Sequence, residues 1–317
     1  MPEPERKAYT DAINCLASMP SNLDPSVYPG ATNRYLDYAA IHIERTLNVH
    51  LDGFFLVWHR MFIYLFEQDL RRSCGYIGSQ PYWDWPSTIY DLHSTPIFNG
   101  DAYSMSSDGY PEDLNSSIAL SPKLSIPHGL GGGCIMSGPF KGWNRTFNTI
   151  PTSILTSGGP LPSDAFAKNS TCLTRDLNPS VAAANLNQTA IDVALASTSM
   201  SEFQFLLNGS PVKQVLGIHS GAHFTVGDPG SNIFVSVQDP IWWPLHTMLD
   251  NLYVQWQALH PDIALQQYGT ETAEDVPASA NVTLETTTPD WGYFEQRGFK
   301  VGELVNNTAG PFCYRYE

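Results

Sequence analysis

The strongest hydrophobic pattern in the chain runs from Asp52 to Arg72. Phe54, Phe55, Leu56, Trp58, Met61, Phe62, Tyr64, Leu65 and Phe66 leave almost no polar face. A helix that is apolar nearly all round belongs at the centre of a bundle. Asp52 is a suitable N-cap, and Arg71, Arg72 and Gly75 mark the end. Periodicity predicts further helices over residues 4 to about 18, Asn33 to Thr46, Thr189 to Leu207, Val212 to Phe224 and Pro240 to Leu259. Between Pro81 and about Pro179 the pattern dissolves. Pro, Gly, Ser and Asn interrupt it every few residues (STPIFNGD, PHGLGGGC, TSGGPLPSD), which predicts long loops with scattered short elements. The tail from Asn281 carries β-type residues and ends on Phe312, Tyr314 and Tyr316. No internal repeat or linker divides the chain. The expectation is a single domain over 1–317, mainly α, with four core helices, long irregular loops and a few short strands.

Composition narrows the function. Of the 317 residues 42% are apolar and only 15% charged, which excludes a disordered chain. The net charge of −15 leaves no basic footprint for nucleic acid. No apolar run approaches the roughly 18 residues needed to span a bilayer.

Asn-x-Ser/Thr sequons begin at Asn115, Asn144, Asn169, Asn187, Asn208, Asn281 and Asn306. Chance would supply about three in a chain of this composition. The excess points to the secretory pathway and to surface N-glycans. In an oxidising compartment the five cysteines, Cys15, Cys74, Cys134, Cys172 and Cys313, should give two disulfides and one odd thiol. None forms a Cys-x-x-Cys pair, so zinc-ribbon and thioredoxin chemistry are excluded. Cys134 and Cys172 flank the loop-rich region, and Cys15 and Cys74 each lie by a core helix. The expected pairs are 134–172 and 15–74, with Cys313 free or joined to a cysteine in a removed upstream segment. Closing the loop of about 38 residues would contribute roughly 3 to 4 kcal/mol in the chain-entropy picture. The opening MPEPERKAYT has no signal-type apolar stretch, so the chain is read as N-terminally trimmed.

The nine histidines are unevenly spread. His42, His50 and His59 lie in the first helical block, and His219, His223 and His246 in the last. His219 and His223 are four apart and share one helix face. Six imidazoles with no Cys or carboxylate partner suit copper better than hydrolytic zinc. His59 sits mid-helix in apolar surroundings, where an unpaired imidazole would be costly. His93, His128 and His260, in loops or at a helix end, are read as structural or solvent-facing.

These residues carry a resemblance. HLDGFFLVWHRMFIYLFEQDLR, from His50 to Arg71, with QPYWDWP from Gln80 to Pro86, resembles the copper A region of the tyrosinase and catechol oxidase family. HSGAHF from His219 and DPIWWPLHTMLDNLYVQWQ from Asp239 to Gln257 resemble the copper B region, and the ending CYRYE resembles the family's closing tyrosine motif. The short, secreted fungal polyphenol oxidases are the nearest in flavour. The resemblance implies a four-helix bundle holding two copper ions, one on His42, His50 and His59, the other on His219, His223 and His246. It implies phenolic substrates and O2 as partners, without a C-terminal lid domain. Many members bond a cysteine to the second copper A histidine. In the fungal arrangement it sits two residues earlier, where this chain has Asn48, so no thioether bridge is expected. Arg60 and Asp250 are expected to pair behind the site, with Asp84 a similar candidate.

The resemblance favours oxidation of o-diphenols to o-quinones with reduction of O2 to water. The rivals are a tyrosinase that also hydroxylates monophenols, a haemocyanin-like O2 carrier, and a dizinc hydrolase. In the family, monophenol hydroxylation goes with an Asn after the first copper B histidine and an acidic residue that holds a water. Here the first position is Ser220, and Gln214 and Asn208 are the nearest polar candidates for the second. Phe234, eleven residues after His223, falls where the family places a residue over the copper mouth, so its ring is expected to face substrate.

Overall fold

The computed structural model covers residues 1–317 and describes all of them except 113–117, 122–123 and 211–212. It is mainly helical. The longer helices are α1 (Glu3–Ser18), α2 (Arg34–Arg45), α3 (Phe55–Cys74), α4 (Pro179–Asn185), α5 (Gln188–Leu195), α6 (Met200–Asn208), α7 (Ile218–Val226) and α8 (Trp242–Leu259). Strands are short antiparallel pairs, such as Gly109–Pro111 with Gly132–Ile135 and Asn144–Arg145 with Thr171–Cys172.

Helix α3 packs against α8 at the centre, α1 leans on α2 and α3, and α7 joins α8 from the other side. An aromatic seam fills the interior. Phe66 of α3 stacks on Trp243 of α8 at 3.6 Å, and Tyr38 of α2 meets both Phe66 and Trp243 edge-on at 5.3 Å. Flat rings in offset and edge contacts bury large areas with little loss of rotamer freedom. One apolar cluster runs from Tyr9 to Phe312, so the tail is part of the core.

Helix ends follow local chemistry. Asn33 caps α2 by accepting from the Leu36 N–H, and Gly75 ends α3 in the left-handed region at φ +65°. Helix α3 begins at Phe55, three residues after the expected Asp52, whose carboxylate instead accepts from the Phe54 N–H at 2.9 Å. The helix expected over 189–207 is two. It breaks at 196–199, where Ser199 accepts from the Glu202 N–H and Glu202 accepts from the Thr198 N–H. The Ser-Met-Ser-Glu run is a capping signal inside an otherwise periodic stretch. The helix expected from Val212 starts at Ile218. Val212 lies outside the described residues, and Val215–Leu216 pairs with Gly209–Ser210 as a hairpin.

The long irregular segment is pinned rather than loose. Disulfides join Cys15 to Cys74 and Cys134 to Cys172, as expected, and Cys313 is free and exposed. Arg175 adds a second fastening. Its guanidinium pairs with Asp239 through two N–H groups at 3.0 and 2.6 Å, and donates to the carbonyls of Met105, Ser106 and Ser107. Both charges are fully buried. Asp239 also accepts from the Ile241 N–H at the entrance to α8. This bidentate pair ties the loops to the helix that carries His246. Removing one partner would leave a buried charge uncompensated, a cost of about 3–5 kcal/mol. Arg175→Met should therefore lower unfolding stability by that order in urea titration with the disulfides intact; a change below about 1 kcal/mol would contradict this role.

Candidate metal centre

Helix α2 supplies His42, the turn after it His50, α3 His59, α7 His219 and His223, and α8 His246. The fold gathers them into two groups, His42 with His50 and His59, and His219 with His223 and His246, whose potential ligand atoms lie within 4.8 Å of one another. The groups abut: the rings of His59 and His246 stack with centroids 4.9 Å apart.

Five of the six rings are held from behind by Nδ1. His42 bonds the Phe234 carbonyl at 3.1 Å, His50 the Thr46 carbonyl at 3.1 Å and His59 the Phe55 carbonyl at 2.7 Å. His223 bonds the Gly230 carbonyl at 2.7 Å, and His219 the Asn208 side-chain oxygen at 3.0 Å. A carbonyl can only accept, so Nδ1 carries the proton and Nε2 keeps a free lone pair. The His246 Nδ1 has no partner among the described residues, and its ring is held by stacking on Trp242 at 3.8 Å.

The inward atoms are what a metal requires. The Nε2 atoms of His219, His223 and His246 lie 3.0, 3.1 and 3.3 Å from one another. The Nε2 atoms of His42 and His59 are buried with no partner among the described residues. Burial lowers the affinity of all six rings for a proton. His42 falls to about 3, against the opposing pull of the Phe234 carbonyl. His223 falls to about 4, with the Gly230 carbonyl opposing. Clustered lone pairs on neutral rings repel unless a cation sits between them. Nitrogens sharing one ion at about 2.0–2.1 Å stand roughly 3.3 Å apart, close to the spacing seen. The donor set is all imidazole, which suits copper, zinc, iron or nickel and not magnesium or calcium.

Behind the centre, Arg60 donates Nε–H to Asp250 at 2.7 Å and bonds the carbonyls of Leu304 and Val305. Arg60 and Asp250 pair as the resemblance implied, and both are buried. The Tyr314 and Tyr316 hydroxyls donate to the other oxygen of Asp250. The chain's last residues are thus latched to α8 one turn below His246.

Other expected residues sit differently. The Phe234 side chain is fully buried in the core, and the atom it aims at the centre is its carbonyl oxygen. Its ring offers no open face to a substrate here. The Ser220 hydroxyl accepts from the Gly217 N–H at 2.8 Å, closing the first turn of α7. It is therefore committed to the backbone. Asp84 is exposed before a single helical turn, Trp85–Thr88, and is not behind the site. Asn48 lies in the turn Thr46–Asn48, and four of the five cysteines are in disulfides with Cys313 exposed, so no cysteine reaches His50. His93 and His128 bond Asp108 and Asp176, and His260 the Leu195 carbonyl, the structural roles expected of them. The buttress from Asn208 to His219 and the Gly230 carbonyl behind His223 escaped sequence reasoning, since neither residue type signals such a role.

The common central domain of tyrosinase matches residues 32–259, a span that holds all six histidines. Tyrosinase P of Aspergillus terreus is 38% identical over 98% of this chain and 88% of its own length. The N-acetyl-6-hydroxytryptophan oxidase ivoB of Emericella nidulans is 34% identical over 99% of this chain and 89% of its own. Among solved structures, a mutant polyphenol oxidase from Thermothelomyces thermophila superposes with a TM-score of 0.90 at 34% identity, covering all of this chain and 86% of that one. The chain belongs to the tyrosinase family.

Proposed function

We propose that this tyrosinase-family oxidase is a dicopper enzyme that oxidises o-diphenols to o-quinones, two diphenols and one O2 giving two quinones and two waters. The observation that carries the reading is the pair of abutting all-imidazole triads, in which five of the six rings have Nδ1 on an acceptor and so turn an unprotonated Nε2 inward. One copper would be held by His42, His50 and His59, the other by His219, His223 and His246. The pair supplies reversible two-electron chemistry matched to O2 on one side and a diphenol on the other. The protein's own part is to keep the rings neutral by burial, to fix their tautomers with carbonyl acceptors, and to keep bulk water from the two triads. The relatives named above bear different activities in their names.

Two features favour diphenol oxidation over monophenol hydroxylation. The Ser220 hydroxyl is spent on Gly217, and the Asn208 oxygen on His219. Both are already engaged, which weakens their hold on a water that would deprotonate an incoming monophenol. We also propose that the protein is secreted and N-glycosylated. Asn144, Asn169, Asn281 and Asn306 are exposed and suited to carry sugars, whereas Asn208 is half-buried against His219.

Three outcomes are expected. His59→Ala should lose one of two coppers by metal analysis and nearly all oxygen uptake on a catechol; two retained coppers with normal uptake would sink the assignment. Initial rates on a catechol should clearly exceed those on its matching monophenol, and comparable rates without a lag would contradict the diphenolase reading. Glycopeptide mapping of protein secreted from a fungal host should find Asn208 bare while Asn281 or Asn306 carries sugar. Occupancy at Asn208 in copper-loaded protein would contradict the placement of that amide.

A further inference from the structure

We propose that Asn208 is a positioning residue for His219, and that its side-chain hydrogen bond sets how tightly the His219, His223 and His246 position holds its metal. The inference rests on the dicopper reading above. His42, His50, His59 and His223 each bond a main-chain carbonyl, an acceptor that no side-chain substitution can delete. His219 instead bonds the Oδ1 of Asn208 at 3.0 Å. Its orientation therefore depends on one replaceable side chain.

The local backbone is built to deliver that amide. Asn208 is the last residue of α6, and Gly209 follows in a positive-φ conformation at +70°. The hairpin from Gly209–Ser210 to Val215–Leu216 brings the chain back to Gly217, where α7 begins. A Cβ on Gly209 would overlap the Val215 carbonyl, and one on Gly217 would overlap the Leu207 carbonyl. These two glycines let the end of α6 touch the start of α7, which puts Asn208 beside a histidine eleven residues on. Next to it, the Ser220 hydroxyl closes the first turn of α7 and leaves His219 to Asn208.

The amide oxygen does two things. As an acceptor it keeps the proton on Nδ1, so Nε2 of His219 is free to face Nε2 of His223 and His246. As a neutral acceptor it restrains the ring's rotation without adding charge. Partners of this kind commonly change metal affinity by about 10- to 100-fold when removed.

The test is copper titration of the metal-free protein against a competing chelator, with wild type, Asn208→Ser and Asn208→Asp compared. Serine is too short to reach His219, whereas aspartate keeps an acceptor in place. Wild type should take up two equivalents. Asn208→Ser should bind the first as wild type does and the second about 10- to 100-fold more weakly, and Asn208→Asp should recover the second to within a few-fold. Equal second-site affinity in Asn208→Ser and wild type would overturn the inference, as would an Asn208→Asp protein as weak as Asn208→Ser. Should Asn208→Ser fail to fold, Asn208→Asp decides alone: second-site affinity near wild type supports the role, and a loss beyond tenfold overturns it. Wild type taking up fewer than two coppers would overturn the dicopper reading, and this inference with it. Two equivalents in wild type with an unchanged Asn208→Ser would overturn the inference only.

Discussion

Six imidazoles largely withdrawn from water must each direct an unprotonated Nε2 inward, and the surrounding architecture depends on meeting that demand. A buried ring needs an acceptor for its Nδ1–H, and the acceptors come from different places. His50 and His59 use carbonyls four residues back on their own segment. His42 and His223 use Phe234 and Gly230, both in the 227–241 connection between α7 and α8. That connection therefore buttresses a ring of each triad, and its position must be fixed to within hydrogen-bond tolerance.

This gives the long irregular segment its task. Gln238 accepts from the Thr146 and Phe147 N–H groups at 2.7 and 2.8 Å, and Asn232 donates to the Ile150 carbonyl. With Arg175 on Asp239, these bonds hold the 227–241 connection from outside. A region without periodicity is thus a rigid frame for two ring acceptors, clamped by the Cys134–Cys172 disulfide.

The legible parts were those where one strong local signal decides the outcome. The apolar run around His59, the six-histidine distribution and both disulfide pairs are visible in the chain, and the structure brings the six rings together as two triads. What failed depended on short-range detail or on distant carbonyls. Periodicity passed over the cap at Ser199 because Met200 and Phe203 continue the apolar face. Phe234 drew attention for its ring, yet its main-chain oxygen touches the centre, and any residue type has that oxygen. Asp84 drew attention for its tryptophan neighbours, which are buried while it is exposed.

The sparse cations are the last piece of the same logic. Against 31 acidic residues the chain has only 16 lysines and arginines, and it places two of those arginines wholly inside. Arg60 joins α3 to α8 and to the tail through Asp250, Leu304 and Val305. Arg175 joins the loops to the entrance of α8 through Asp239. Both therefore converge on the helix of His246, the ring whose Nδ1 has no acceptor among the described residues. Stacking on Trp242 is less directional than a hydrogen bond, so the ring's position depends on where its helix sits. Two buried bidentate-capable guanidiniums, each closing on an aspartate of the same helix region, supply the directional restraint from outside the site that His246 lacks within it.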